Sequence, residues 1–365
     1  MKELQSKVID SIRFPLAIMV VFIHLQGAEH HEPTDMPCAY LVYENSKILF
    51  SGILPHIAVP LFYIISGYLF FVSFKGHWDF RLWTTKIKRR LGTLFVPYII
   101  WNIMPVLLYC TAVIVGMMVH QKTYDLGNDD YVRSCLSWHI FWDYYKDTQP
   151  ILSIFPLDYP LWFIRNLIIV LAISPAIFVV VKYLKHYAIL FFLIYYVLNL
   201  NFIVMSYYDI MTLVFFMTGA YCGINGKNLV TITQRFSPYS YIICIIALSS
   251  TLLFYNTFWR DYLFRIYVLS GIVSFISLTT MFVEKFSLEL PRNIINSTFF
   301  VFAAHVVLPF NSWFSKIESH IFSNNVWGWT IQYFTIPLCV AASCVITYLL
   351  MHKFYPRFTS FICGR

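Results

Sequence analysis

Arg13 and His24 are the residues of this chain whose types and spacing most directly suggest chemistry. A guanidinium is a lasting cation that binds phosphate or carboxylate. An imidazole, with an ordinary pKa of about 6.5, can take a proton from a hydroxyl near neutral pH. Both fall in one apolar segment, 11–26, eleven positions apart. At about 100° per residue, eleven steps return to within about 20° of the starting direction, so on a helix the two share one stripe, separated by about 16 Å of rise. Ionisable groups inside a membrane span are costly, about 2.5–3.5 kcal/mol for arginine at mid-helix, and usually face a protein interior or a wet cavity. A plainer reading makes Arg13 a flanking anchor and His24 an interfacial residue.

The elements that must position this pair are membrane helices. The chain has 365 residues, 59% of them hydrophobic and only 12% charged, with a mean hydropathy of +0.66. Repeated apolar runs of about 20 residues mean transmembrane segments rather than a soluble core. The spacing predicts ten, at 11–26, 48–74, 92–119, 160–181, 189–205, 208–224, 239–257, 263–283, 295–315 and 329–351. The expected fold is therefore an all-α integral membrane protein, a bundle of about ten transmembrane helices forming a single domain over 1–365, with no soluble domain appended. Lys2, Lys7 and the apolar run after them resemble a signal peptide. No convincing small-residue cleavage site follows, so an uncleaved first helix is expected.

Charge sets the expected orientation. The stretch from Lys75 to Arg90 carries Lys75, Arg81, Lys86, Lys88, Arg89 and Arg90 against Asp79 alone, and Lys182, Lys185, Lys227, Arg235, Lys353, Arg357 and Arg365 fall on the same side. The other side holds Glu29, Glu32, Asp35, Glu44 and a long acidic and aromatic connection, about 120–159. Both termini are thus expected in the cytoplasm. The net charge of +8 follows this distribution, so nucleic acid is not an expected partner; the lipid bilayer is. Trp138, Trp142, Tyr144 and Tyr145 of the long connection suit interfacial anchoring, with a lid or sugar-stacking surface as the other reading. Cys38 and Cys135 fall in exterior loops, where a disulfide is conceivable. No metal site is expected: no cysteines have zinc-ligand spacing, and the adjacent His30, His31 and Glu32 cannot surround an ion.

Asp10-Ser-Ile-Arg13-Phe-Pro-Leu-Ala17, leading to Val21-Phe-Ile-His24, resembles the first span of the membrane acyltransferase family 3 proteins. The resemblance implies transfer of an acyl group from cytoplasmic acyl-coenzyme A to a sugar hydroxyl across the membrane. Val59-Pro60-Leu-Phe62-Tyr-Ile-Ile-Ser66-Gly67-Tyr68 is similar to the family's second-span motif, though small residues at a helix interface explain it equally. Lys86-Ile-Lys88-Arg89-Arg90-Leu-Gly-Thr93 stands where the family carries Arg-x-x-Arg. Arg90 takes the first place and Thr93 the second, so the phosphate role the resemblance implies rests on Arg90, with Lys88, Arg89 and Arg13 as further cations. The same loop reads equally as a topological anchor. Trp162-Phe163-Ile-Arg165 resembles the family's Trp-Phe motif; Arg165 either snorkels to headgroups or binds the acceptor alongside Trp162 and Ser66. Phe215-Phe216-Met-Thr-Gly219-Ala220 also resembles the family, and helix packing explains it fully. Ser297 and His305 resemble the family's late Ser-to-His pattern; a lone mid-membrane histidine is also often a satisfied core group.

The expected activity is thus a transmembrane O-acyltransferase, with acetyl-CoA as the expected donor and no metal. The acceptor is an extracytoplasmic sugar or glycolipid, and a bacterial-type cytoplasmic membrane the expected location. Coenzyme A docks at the inner mouth of a polar shaft along the Arg13–His24 stripe, and His24 acts as general base or carries the acyl group itself. Two other classes fit the residues: a polytopic transporter or flippase for a glycan- or lipid-linked substrate, and a membrane sensor whose basic loop only fixes topology.

Overall fold

The computed structural model describes residues 2–27, 36–121, 124–147, 154–198, 206–287, 289–322 and 325–365, and every regular element among them is helical. The His30-His31-Glu32 group lies outside the described residues. The first helix, α1 (Lys2–His24), buries Val8, Ile12, Leu16 and Val20 at a spacing of four, with Ala17 and Val21 beside them. This is the stripe a 3.6-residue period lays on one helix face. It packs against α3 (Ala58–Phe71), α11 (Arg260–Phe286), α12 (Arg292–Val307) and α14 (Val326–Phe354), so Arg13 and His24 sit on the central helix.

Six stretches are long and apolar enough to cross a membrane: Pro37–Phe74, Phe80–His120, Ser174–Leu198, Leu229–Leu253, Arg260–Phe286 and Val326–Phe354. A seventh arises if the bent pair α12 and α13 (Phe310–Ile321) counts as one. The chain is a multi-pass membrane protein. The expected ten segments do not map one-to-one onto these. The 160–181 segment is divided: α7 (Trp162–Ala172) ends and α8 (Ser174–Leu198) begins inside it. Pro175 supplies the cause, since proline suits the first helical turn and cannot continue a preceding helix. Lys185, with φ 49° and ψ −129°, breaks the helical path of α8 in turn.

Two features set the packing around the site. Gly67 of α3 and Gly219 and Gly223 of α9 (Tyr207–Ile224) let the two backbones touch. A Cβ at Gly219 would lie 2.0 Å from the Ile64 carbonyl oxygen, and one at Gly67 2.2 Å from that of Phe216. The Ser-Gly and Gly-Ala motifs are thus contact faces of α3 and α9. The α12–α13 pair bends by 67° at Leu308-Pro309, where Leu308 is extended as a residue before proline must be.

The long connection holds a short helix, α6 (Asp130–Cys135), and is tied down by Arg165. The Arg165 Nη1 donates to the carbonyls of Trp142 (2.6 Å) and Ile154 (2.7 Å), and its Nε and Nη2 to Asn166 Oδ1. Asn166 Nδ2 then donates to Asp209 Oδ1 of α9. The possible Cys38–Cys135 disulfide is not formed. Cys38 is exposed on α2 (Pro37–Lys47), whereas Cys135 is buried against the Tyr144 hydroxyl, and both are free thiols.

Candidate active site

The Arg13–His24 stripe opens at two cavities, one at each end. At the basic end, Arg13 lines a space of about 1090 Å³ between α1, the last turn of α3, the end of α9 and the start of α10 (Leu229–Leu253). Lys75 and Lys227 share it with Arg13, along with Gln5, Asn225 and Asn228. The rim is made of two turns in which Gly76 (φ 78°) and Gly226 (φ 63°) hold left-handed backbone, and the exposed Lys75 and Lys227 ride on them. Arg13 is 35% exposed and has one carboxylate close by, Asp10 Oδ1 at 3.1 Å from Nη1. Arg90 and Arg365 add their repulsive fields to it. One carboxylate does not neutralise this cluster, so an anion is the natural ligand.

The other basic residues are placed differently. Arg90 ends α4 (Phe80–Arg90), its stem lining a small apolar space of about 80 Å³ against Ile168 and Leu171. Lys88 and Arg89 are exposed on the same helix. Lys86 donates to the carbonyls of Leu69 and Phe70, capping α3.

At the opposite end, His24 is the last residue of α1 and lines a space of about 460 Å³ with Gln26, Tyr43, Asn311, Ser315, Gln332 and Tyr333. The 67° bend supplies Asn311 and Ser315 from α13, and α14 supplies Gln332 and Tyr333. Gly27 (φ 74°) turns the chain away from α1 beside Tyr43, whose hydroxyl a Cβ would meet at 3.2 Å.

The His24 ring is held between two others: Tyr159, edge-on at 4.8 Å, and His305, tilted by 30° at 5.4 Å. Among the described residues neither ring nitrogen of His24 has a hydrogen-bond partner, so its lone pair is uncommitted. His305 is wholly buried; its Nδ1 lies 3.1 Å from the Val301 carbonyl oxygen, and among the described residues its Nε2 has no partner. A carbonyl only accepts, so Nδ1 carries the proton and Nε2 is left as an acceptor. His56, on the turn entering α3, adds its field to His24, and its buried Nδ1 is likewise unpartnered.

The structure therefore brings His24 and His305 together and sets Arg13 at the basic end. The two cavities share no described lining residue, and Ala17 (0% exposed) and Val20 (2%) fill the stripe between them. The expected polar shaft is closed at that level because small and branched side chains pack tightly there. Arg165 spends its donors on the long connection. Trp162 is buried against Tyr208 (4.7 Å) and Phe155, and Ser66 lines neither cavity. Sequence reasoning missed Tyr159, His56, Asn311 and Gln332, which carry no motif. Lys75 and Lys227 it read only as markers of topology.

Comparison with known proteins identifies the family. The family profile described as an acyltransferase domain matches residues 7–351, from the first turns of α1 nearly to the end of α14. A protein of Rhizobium meliloti (strain 1021), named Succinoglycan biosynthesis protein ExoH, is 22% identical over 373 residues, covering 98% of this chain and 91% of its own length. No solved structure matches the chain. The match covers nearly the whole chain, and the chain belongs to the membrane acyltransferase family 3.

Proposed function

We propose that the chain is a transmembrane O-acyltransferase that moves an acyl group, acetyl by preference, from acyl-coenzyme A to a hydroxyl of a glycan or glycolipid across the bilayer. The basic end faces the cytoplasm with both termini, and the helical bundle sits in a bacterial-type cytoplasmic membrane. The observation that carries the reading is the His24 imidazole, flanked by Tyr159 and His305, with no ring nitrogen committed to a described residue, lining a cavity that Gln26, Asn311, Ser315 and Gln332 share. A glycan acceptor is supported by the relative's printed role in succinoglycan biosynthesis.

The donor is a polyanion that cannot cross lipid. Its phosphates dock at Arg13, Lys75 and Lys227, with Arg90, Arg89 and Lys88 drawing it in from outside the cavity. The slim pantetheine arm passes along the stripe, so Ala17 and Val20 must part for each transfer. At the far end the neutral His24 takes the acceptor's hydroxyl proton as the oxygen attacks the thioester carbonyl. The tetrahedral intermediate collapses, the carbon–sulfur bond breaks, and the imidazolium returns its proton to the departing thiolate. An ester and free coenzyme A remain. His305, its Nδ1 proton engaged by the Val301 carbonyl, presents an unprotonated Nε2 beside the His24 ring as a second neutral imidazole.

The test is mass spectrometry of surface glycans from cells carrying the gene, lacking it, or carrying His24→Ala. Acyl ester present only with the wild-type gene supports the proposal; ester at wild-type level with His24→Ala overturns it.

A further inference from the structure

A third cavity, of about 870 Å³, lies between α5 (Val96–His120) and α12, bordered by the long connection. Its walls differ in kind. Leu108, Ala112, Val115, Val306 and Val307 are apolar, and Ala112 and Val115 are exposed on the outer side of the bundle. Tyr109, Tyr131, Tyr144 and Tyr145 line the remainder, with one acid among them, Asp158.

Asp158 is 1% exposed, and among the described residues neither carboxyl oxygen has a hydrogen-bond partner. Its main chain is fully used: the N–H donates to Asn102 Oδ1 at 3.0 Å, and the carbonyl accepts from the Leu161 N–H at 2.9 Å. The residue occupies the N-cap of the turn Tyr159–Leu161 that leads into α7, where an aspartate ordinarily accepts a backbone N–H. This one does not. The nearby hydroxyls of Tyr98 and Tyr145 both donate to backbone carbonyls, of Phe141 and Leu157, so neither serves it. A carboxyl held dry without partners is expensive, and a group left so in a cavity wall calls for a partner that fills the cavity. The next residue, Tyr159, packs on His24, and Val306 follows His305.

Resting on the acyltransferase reading, we propose that this cavity is a lateral acceptor subsite: it takes a hydroxylated head group carried on an apolar chain, and Asp158 hydrogen-bonds a hydroxyl of that head. The tyrosines face the sugar ring, and the chain lies along Leu108, Ala112 and Val115, where the space opens toward lipid. The acceptor then reaches the histidine pair from within the membrane plane. Asp158 is a positioning residue, since it fixes the acceptor and removes no proton.

The probe is radiolabelled dodecyl maltoside, bound at equilibrium to the full chain in lipid nanodiscs, with unlabelled maltose and dodecylphosphocholine as competitors. Saturable binding that maltose and dodecylphosphocholine displace at least 10-fold less well than dodecyl maltoside is the expected result. Asp158→Ala weakens it about 10-fold, the scale of one hydrogen bond to a charged or strongly polar group. Ala112→Trp, on the exposed wall, also weakens it with the fold intact. Equal binding by wild type and Asp158→Ala overturns the proposal, and so does displacement by maltose as good as by dodecyl maltoside. The measurement needs no acyl transfer, so its failure leaves the chemistry at His24 standing, and loss of that chemistry leaves this binding untouched.

Discussion

The two ends of α1 are built on opposite principles. Around Arg13 the cavity is wide and its cations outnumber its acids, with Lys75 and Lys227 exposed on glycine turns. Around His24 the space is less than half as large, and its walls are uncharged: amides, hydroxyls, aromatic rings and the aliphatic Leu25, Ile336 and Pro337. The first end suits a ligand recognised by charge, the second a step that depends on one uncommitted proton acceptor. On the proposed reading, donor binding and chemistry should separate by mutation.

The largest expected effect lies at the second end. His24→Ala lowers the turnover rate by about 10²–10⁴-fold, the usual worth of a general base, and leaves the donor Kd unchanged. Steady-state kinetics beside equilibrium binding of a non-transferable coenzyme A thioether checks both halves. Arg13→Gln should do the reverse, weakening that thioether by about 10–100-fold, the loss of a charge-assisted hydrogen bond, while turnover at saturating donor changes little. If Arg13→Gln instead lowers only turnover, the division between the ends fails. Lys75→Ala and Lys227→Ala come next. Exposed charges are worth less than about 1 kcal/mol, so each should cost only a few-fold in donor affinity, and the loss should shrink as salt rises.

The smallest effect concerns stability. Burial holds the Asp158 carboxyl well above the usual carboxylate range. A carboxyl raised in this way binds its proton more tightly in the folded state, so the fold loses stability as pH climbs from about 4 toward the raised value. Asp158→Asn has no such titration. Its melting temperature should fall less than that of wild type across that window, as followed by thermal unfolding in detergent at stepped pH.

Much of this was legible in the chain. Helical periodicity placed Arg13 and His24 on one stripe, and the short motifs led to the family that the profile establishes. Periodicity could not reveal that Ala17 and Val20 fill the stripe between them, because packing depends on neighbours far away in sequence. His305 was visible as a residue but not as a partner of His24; that contact needs α12 beside α1. Asp158 was read only as one of the exterior acids of the long connection, and Tyr159 carried no motif, because neither burial nor the packing on His24 shows in the chain. The expected 160–181 span failed at Pro175, a local signal that a hydropathy run averages away. Arg165 was read as a headgroup or acceptor ligand, whereas its donors are spent on carbonyls of the loop across from it.

Transfer across the bilayer is the central claim, and sidedness tests it most directly. Sealed vesicles holding the protein in one orientation, fixed by protease cutting at the Lys75–Arg90 loop, would receive labelled acetyl-CoA on one face and the glycan acceptor on the other. The account predicts ester formation only when the donor is on the face of that loop and the acceptor on the opposite face. Equal rates from either face, or transfer only when both substrates share a face, would contradict it.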